Sequence, residues 1–244
     1  MAAVGRPDGT TIAYRRFRGP RAVLLVHGFA SDGEATWERT GWVRTFAEAG
    51  RGAVVVDLRG HGASAKPTEA VLYSLELLAQ DVLAVADAED LAVFDIVGYS
   101  LGARVAQAVA AARPDRVAHL VLGGIGMRDP FAEWGPAAMR DALLSGQVIG
   151  DPTADRLISA PSLSQPEREA LAACVSGLAG SPMPDMDSPV AALVVAGAED
   201  SVAADAPELA RHLGAPFVEV AGRHHVNAIS ARAFRSAVVA FLDQ

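Results

Sequence analysis

The chain has 244 residues, of which 51% are hydrophobic and 20% are charged, and this composition excludes a globally disordered protein. Its 21 Lys and Arg residues against 29 Asp and Glu residues give a formal net charge of −8, which argues against a protein that grips the nucleic-acid backbone over a broad face. The single cysteine, Cys174, excludes an internal disulfide framework and a cysteine-rich zinc module.

The beginning of the sequence is charged, and it contains no apolar stretch of the kind found in a secretory signal. Nowhere does an apolar run approach the roughly 18 residues that a membrane-spanning helix needs. We therefore expect a soluble, cytoplasmic protein that binds neither membranes nor nucleic acids. The sequence leaves its oligomeric state open.

Short apolar runs alternate with longer helical patterns along most of the chain. The runs predict β-strands at 11–17, 22–27, 53–57, 94–99, 117–122, 191–197 and 216–221. Helices are predicted at 38–49, 73–89, 100–113, 203–213 and 226–242. Nearly continuous Val, Ile and Leu runs are typical of strands buried on both faces. The alternation predicts an α/β fold with a mostly parallel central sheet flanked by helices.

One long segment, 127–189, breaks this rhythm because it contains no strand-like run. Eight of the 14 prolines fall in it, and short helices are predicted at 136–145 and 166–178. Structureless loops of that length are uncommon without a function. We therefore predict a helical cap at 127–189, inserted between late strands of a core formed by 1–126 and 190–244. A helical crossover with long loops is the alternative.

A G-x-S-x-G motif, Gly98-Tyr99-Ser100-Leu101-Gly102, lies between an apolar run and a helical pattern. This strand–turn–helix setting is the one that a nucleophile elbow requires. A turn from strand to helix within one residue strains that residue and projects its side chain from the sheet, while the flanking glycines avoid crowding. The helix start offers unpaired N–H groups, so the N–H of Leu101 can stabilise an oxyanion. Ser100 is therefore the predicted nucleophile.

With this motif the sequence resembles the α/β-hydrolase superfamily. Four blocks occur in that family's order, and they lie at 25–29 (LVHGF), 57–64 (DLRGHGAS), 98–102 (GYSLG), and at 197–200 (GAED) together with 222–225 (GRHH). The resemblance implies that Asp200 is the acid and His225 the base of a triad with Ser100. Asp129 is a weaker candidate for the acid, and His224 is the alternative base.

The resemblance also implies roles for the first two blocks. The backbone N–H of Phe29 is expected to be the second oxyanion donor beside that of Leu101, and His27 is expected to hydrogen-bond the loop backbone. The block 57–64 is expected to be a tight structural loop rather than a second catalytic centre.

The substrate pocket is expected to be apolar. Its predicted lining residues are Phe29, Tyr99, Met127, Phe131 and Trp134. The same cap side chains could instead pack the cap on the core, and the sequence leaves both interpretations open. We interpret Cys174, in the cap, as a packing residue.

These features predict a serine hydrolase that cleaves a small, largely apolar carboxylic ester through an acyl-enzyme. Ser100 argues against haloalkane dehalogenases and epoxide hydrolases of this fold, which use a carboxylate at the elbow. No metal-binding spacing and no phosphate-binding glycine loop is found, so no metal and no cofactor is expected. A thioesterase, lactonase, carbon–carbon bond hydrolase, perhydrolase or hydroxynitrile lyase, a non-turnover ligand receptor, and an interaction protein with a vestigial site are the alternatives.

Overall fold

The computed structural model describes residues 1–159, 163–186 and 190–244, and in them eight strands form one sheet. The strands are β1 (Ala2–Gly5), β2 (Thr11–Phe17), β3 (Val23–Val26), β4 (Ala53–Val56), β5 (Phe94–Tyr99), β6 (Val117–Gly123), β7 (Ala191–Gly197) and β8 (Phe217–Val220). Their order across the sheet is β1-β2-β4-β3-β5-β6-β7-β8. Both pairings of β2 are antiparallel and the others are parallel. The predicted α/β fold with a mostly parallel sheet is thus confirmed.

Helices connect the strands and cover both faces of the sheet. Those of the described residues are α1 (Trp42–Glu48), α2 (Leu75–Ala88), α3 (Leu101–Ala112), α4 (Pro130–Trp134), α5 (Pro136–Ser145), α6 (Pro152–Ile158), α7 (Gln165–Leu178), α8 (Ala206–His212) and α9 (Arg232–Leu242). A π-helical turn at Glu34–Glu38 precedes α1. No helix in this part of the chain is both long and apolar enough to span a bilayer.

The central strands β3, β4 and β5 are buried on both faces because each face packs against helices. In β3, Leu24 and Val26 belong to one buried cluster, which includes apolar side chains of α2, α3 and α8. Val23 and Leu25 belong to the other, which includes side chains of α1 and α9. Successive strand residues point to opposite faces. A continuous apolar run therefore contributes side chains to the buried clusters on both faces of the sheet.

The structure corrects the prediction of the last helix. It was expected at 226–242, but α9 begins at Arg232, and only a 3₁₀ turn at Ala228–Ser230 precedes it. Ala231 is extended, with ψ of 137°. The carbonyl oxygen of Ile229 accepts a hydrogen bond from the buried indole of Trp42 at 2.8 Å. This contact diverts that carbonyl from a helical hydrogen bond, so His225 lies in a loop rather than at a helix start.

Helices α4 to α7 lie between β6 and β7, where the sequence predicted a cap inserted between late strands. Met139 of α5 and Leu171 of α7 are buried in the same apolar cluster as Leu24 and Val26 of β3. These two helices of the predicted cap therefore pack directly on the core. Its boundaries at 127 and 189 stay a prediction, and two of its prolines, Pro161 and Pro189, lie outside the described residues.

Candidate active site

Ser100 occupies the turn between β5 and α3, and its backbone is strained. Its φ of 54° and ψ of −123° lie in a region that costs a non-glycine residue about 1–3 kcal/mol. The surrounding structure holds it there, because the Ser100 N–H donates to the carbonyl oxygen of Gly123 at 2.8 Å. A Cβ at Gly98 would collide with the backbone of Gly102, and one at Gly102 with the carbonyl of Val26. Both flanking glycines are required by close backbone contacts.

The structure brings Ser100, His225 and Asp200 together from three separate loops. The Ser100 Oγ lies 2.9 Å from Nε2 of His225. Nδ1 of the same ring lies 3.0 Å from each carboxylate oxygen of Asp200. His225 and Asp200 are both buried. With the ring proton on Nδ1, His225 donates to Asp200 and leaves Nε2 free to accept the Ser100 proton.

Further contacts hold the predicted acid, Asp200, and the predicted base, His225, in place. Asp200 follows β7, and its Oδ1 accepts the backbone N–H groups of Val202 and Ala203 at 3.1 and 3.2 Å. The Tyr99 hydroxyl donates to the carbonyl oxygen of His225 at 2.5 Å. The rings of Tyr99 and His225 also pack with their centres 5.6 Å apart. Tyr99, predicted to line the substrate pocket, thus also anchors the histidine loop.

The alternative acid and base lie elsewhere. Nδ1 of His224 accepts the backbone N–H of Val226 at 3.3 Å, so that its ring is turned towards its own loop. Asp129 caps α4 through the N–H of Phe131 at 3.2 Å and accepts the N–H of Gly180 at 2.6 Å. Neither side chain is hydrogen-bonded to Ser100.

The loop after β3 passes directly beside Ser100. A Cβ placed on Gly28 would lie 3.1 Å from the Cβ of Ser100, so glycine allows this approach. Within the described residues, the N–H groups of Phe29 and Leu101 have no protein acceptor. His27 holds the loop, because its Nδ1 donates to the Gly28 carbonyl at 2.8 Å and its Nε2 accepts the N–H of Leu58 at 3.0 Å. Two backbone donors without a protein acceptor therefore lie in the two loops that meet at Ser100.

Residues 57–64 form a tight loop that is held by hydrogen bonds. Asp57 accepts the N–H groups of Gly33 and Ala63, both at 2.9 Å. The ring of His61 donates from Nδ1 to the Arg59 carbonyl at 2.9 Å. Burial, with a smaller effect from His27, lowers the pKa of His61 to about 3. His61 is therefore a neutral packing group beneath the loop of Phe29.

We call the first of two cavities at Ser100 the cap chamber. Its walls are apolar side chains of core and cap, and its volume is about 20 Å³, room for about one water molecule. These side chains include Phe29, Leu101, Ile125, Phe131, Trp134 and Val202. Phe131 packs edge-on against Phe29, with the ring centres 4.9 Å apart. Two arginines, Arg104 and Arg128, also line it, and the sequence analysis missed both.

The second cavity, the histidine chamber, is also lined by Ser100 and Phe29. It has a volume of about 100 Å³, and Tyr99, His225 and Ile229 are among its lining residues. Ser100, Phe29 and Leu157 line both chambers. Ser100 therefore lines two cavities of different size.

Met127 differs from the predicted pocket lining. Its side chain is 44% exposed, whereas its neighbours Gly126 and Arg128 line the cap chamber. The reason lies in the backbone, because the N–H of Met127 donates to Oδ2 of Asp205 at 3.1 Å.

In the described part of the chain, no group of three or more His, Cys, Asp or Glu side chains is arranged to hold a metal ion.

Comparison with known proteins places the chain in a family. A family model described as "alpha/beta hydrolase fold" matches residues 21–146. An epoxide hydrolase of Caballeronia sordidicola is 35% identical over 121 residues, which are 50% of this chain and only 34% of that protein. The chain thus matches about a third of the length of this curated relative.

Solved structures match over nearly the whole chain. A hydrolase from Pseudomonas aeruginosa PA01 is 24% identical, with a TM-score of 0.80 over 100% of this chain and 98% of that one. An enol-lactonase from Burkholderia xenovorans LB400 is 25% identical, with a TM-score of 0.73 over 97% of this chain and 98% of that one.

Proposed function

The chain belongs to the α/β-hydrolase fold family, and we propose that it is a serine hydrolase that cleaves small, largely apolar carboxylic esters through an acyl-enzyme on Ser100. The supporting observation is the continuous hydrogen-bonded path from Ser100 through His225 to the buried Asp200, at 2.9 and 3.0 Å. In serine hydrolases such a path makes the hydroxyl nucleophilic. Asp200 would hold the imidazole in the required tautomer.

Acylation follows from this arrangement. The Ser100 oxygen attacks the ester carbonyl while its proton moves to Nε2 of His225. The carbonyl oxygen becomes an oxyanion, which the N–H groups of Phe29 and Leu101 stabilise. As the tetrahedral intermediate collapses, the carbon–oxygen bond to the alcohol breaks and His225 returns the proton to the leaving oxygen. An acyl group then remains on Ser100.

The position of His225 supports a proposed role for each of the two chambers. The leaving oxygen must lie next to Nε2 to take its proton, so the alcohol part belongs in the histidine chamber, which His225 lines. The acyl part then belongs in the cap chamber, which both oxyanion donors line. Water entering where the alcohol left attacks the acyl-enzyme with His225 as base, and the acid is released.

The hydroxyl nucleophile favours acyl transfer over the epoxide opening for which the Caballeronia relative is named. Attack of a serine oxygen on an epoxide forms an ether, which water does not readily cleave. Attack on an ester forms another ester, which the same histidine can hydrolyse. The enol-lactonase from Burkholderia gives further support, since a lactone is a cyclic ester. Lactone opening is therefore the second candidate activity.

Hydrolysis of p-nitrophenyl acetate and butyrate by wild type, Ser100→Ala and Ser145→Ala tests this function. Ser145 is an exposed cap residue that serves as the matched control. We expect turnover in wild type and Ser145→Ala, and loss of turnover in Ser100→Ala. Equal turnover in Ser100→Ala would contradict the proposal. Absence of turnover in wild type, together with thermal stabilisation by the esters, would indicate a ligand receptor.

A further inference from the structure

Arg104 is a buried cation in the wall of the cap chamber. It lies on α3 one turn beyond Ser100, and its backbone N–H donates to the Ser100 carbonyl oxygen at 3.3 Å. The residue is only 5% exposed, yet it lines the same chamber as the Ser100 hydroxyl. Burying a guanidinium is costly unless opposite charges and hydrogen-bond acceptors compensate it. Its partners therefore decide what it can do.

The carboxylate nearest to Arg104 is a loose partner. Oδ1 of Asp129 lies 3.5 Å from Nη1, and this carboxylate also accepts the N–H groups of Phe131 and Gly180. The closest acceptor is neutral, namely the carbonyl oxygen of Ser181 at 2.6 Å from Nη2. Burial lowers the pKa of Arg104 below its ordinary value although Asp129 opposes this shift. The charge is thus only partly compensated by the protein.

The second cation in the wall, Arg128, differs in this respect. Its side chain is half-exposed, and its guanidinium bonds to Glu133 at 3.2 Å and lies 3.6 Å from Asp205. Two carboxylates outside the chamber therefore balance its charge. No carboxylate is among the chamber's described lining residues. Arg104, whose one carboxylate partner is shared with two backbone N–H groups, is consequently the less neutralised of the two cations in the chamber wall.

We propose that Arg104 binds a carboxylate carried by the acyl part of the substrate, so that the substrate is a half-ester of a short dicarboxylic acid such as succinic acid. This rests on the function proposed above, because it takes the cap chamber as the acyl site. A guanidinium presents five N–H donors in a planar fork that matches a carboxylate. The helical turn between Ser100 and Arg104 rises about 5.4 Å, a span that a short carbon chain covers. Because the chamber of about 20 Å³ is smaller than such an acyl group, binding requires its cap side chains to move apart.

In this reaction the acyl group passes from the alcohol to Ser100 and then to water. In acylation the ester bond to the alcohol breaks as the ester bond to Ser100 forms. In deacylation the Ser100 ester bond breaks as the water oxygen bonds to the acyl carbon, so the products are the alcohol and the dicarboxylic acid. Arg104 exchanges no proton and forms no covalent bond. Its contribution is to bind the far end of the acyl chain, while the apolar walls of the chamber hold the carbon atoms between.

Arg104 also anchors the cap, and this second role must be separated from carboxylate binding. Gln107, the next polar residue on the same face of α3, donates from Nε2 to the carbonyl oxygen of Pro184 at 2.9 Å. Both residues thus hold the segment that returns from the cap to β7. Gln107 is not among the residues lining the cap chamber. Gln107→Met therefore removes a cap anchor without changing the charge at the acyl site.

The experiment compares kcat/KM for monoethyl succinate and ethyl butyrate, measured by proton NMR. The two esters differ in having a carboxylate or a methyl group at the end of the acyl chain. Wild type is expected to favour the succinate ester by about 10- to 100-fold, the range for a hydrogen bond between charged groups. Arg104→Met is expected to lose this preference, Arg104→Lys to keep part of it, and Gln107→Met to keep it fully.

Equal kcat/KM of wild type for the two esters would overturn the carboxylate site, and this result needs no variant to fold. A preference that survives in Arg104→Met would overturn it as well. If wild type cleaved neither ester, the proposed function would fail. The role of Arg104 would then be tested by the binding of succinate alone. Succinate would then be expected to raise the Tm of wild type but not of Arg104→Met. Without such a rise in wild type, the site itself would be refuted.

Discussion

Asp200 holds His225 through both carboxylate oxygens, each 3.0 Å from Nδ1 of the imidazole. The carboxylate is buried, and two backbone N–H groups after β7 bind its Oδ1. Rotation of the imidazole would break these contacts and leave a buried carboxylate without its partner. The pair therefore keeps Nε2 of His225 directed at Ser100.

Asp200→Asn tests the importance of this pair. An amide can donate to Nδ1 and so favour the tautomer that carries the proton on Nε2, which cannot accept the Ser100 proton. We expect kcat for p-nitrophenyl acetate to fall by about 10⁴-fold with little change in stability. Glu199→Gln, at the exposed neighbouring position, is the control and should keep wild-type kcat. An unchanged kcat in Asp200→Asn would refute this role.

Replacing Gly102 by alanine tests the packing of the elbow. The new Cβ would collide with the carbonyl oxygen of Val26 at the end of β3. We expect Gly102→Ala to lower the free energy of unfolding by about 1–3 kcal/mol or more, measured by urea denaturation. Gly5→Ala is the matched control, since nothing lies within 4 Å of a Cβ at Gly5 and its φ is not positive. Equal stability of the two variants would contradict the close approach of α3 to β3.

The lowered pKa of His61 predicts how the free energy of unfolding depends on pH. Burial lowers its pKa from an ordinary 6.5 to about 3, so the unfolded chain binds a proton at this position more readily than the folded one. The contribution of neutral His61 is complete above pH 6.5 and is lost as the pH falls towards 3. His61→Asn is expected to flatten this loss by up to about 1.4 kcal/mol per pH unit.

Urea denaturation of wild type and His61→Asn across that range measures the difference in slope. Asparagine can still donate to the Arg59 carbonyl, so that the replacement removes the titration while keeping the hydrogen bond that His61 makes. His212→Asn, at an exposed position, serves as the control. Parallel stability curves for wild type and His61→Asn would show that His61 is not held neutral.

Trp134→Ala tests whether the cap chamber holds the acyl chain. The truncation enlarges a chamber of about 20 Å³, and each methylene it newly accommodates should gain about 0.8 kcal/mol, or about fourfold in relative kcat/KM. A series of p-nitrophenyl esters from acetate to octanoate would measure the shift towards longer chains. Met127→Ala, at the exposed position beside the chamber, should leave the profile unchanged. An unaltered profile in Trp134→Ala would assign the acyl chain elsewhere.

Much of the sheet could be predicted because burial on both faces leaves an unambiguous pattern. The runs at 11–17, 94–99 and 191–197 coincide with β2, β5 and β7. β1 was missed, since it is only four residues long, lies at the sheet edge and contains a single β-branched residue, Val4. The last helix was predicted to begin too early, because the apolar pattern of 226–231 does not reveal that Trp42 binds the Ile229 carbonyl.

Some residues of the candidate site could likewise be predicted from the sequence, whereas others could not. Ser100 is marked by glycines that the close packing of α3 requires, and such a local constraint is visible in sequence. The lining of the cap chamber depends on how the cap folds back over the sheet, so Met127 was included and Arg104 was missed. One signal was available, since Arg104 is the only charged residue of α3 and lies four positions after Ser100. Its burial could be seen only once α3 and the cap were packed together.

The most direct measurement is to locate the acyl group during turnover. Wild type and Ser100→Ala would be mixed with p-nitrophenyl acetate, quenched in acid within the first turnovers and digested for peptide mass spectrometry. The account predicts an acetyl group on the peptide that contains Ser100, at Ser100 itself, and none in the variant. Acetylation at a different residue, or a burst of p-nitrophenol with Ser100 unmodified, would contradict it.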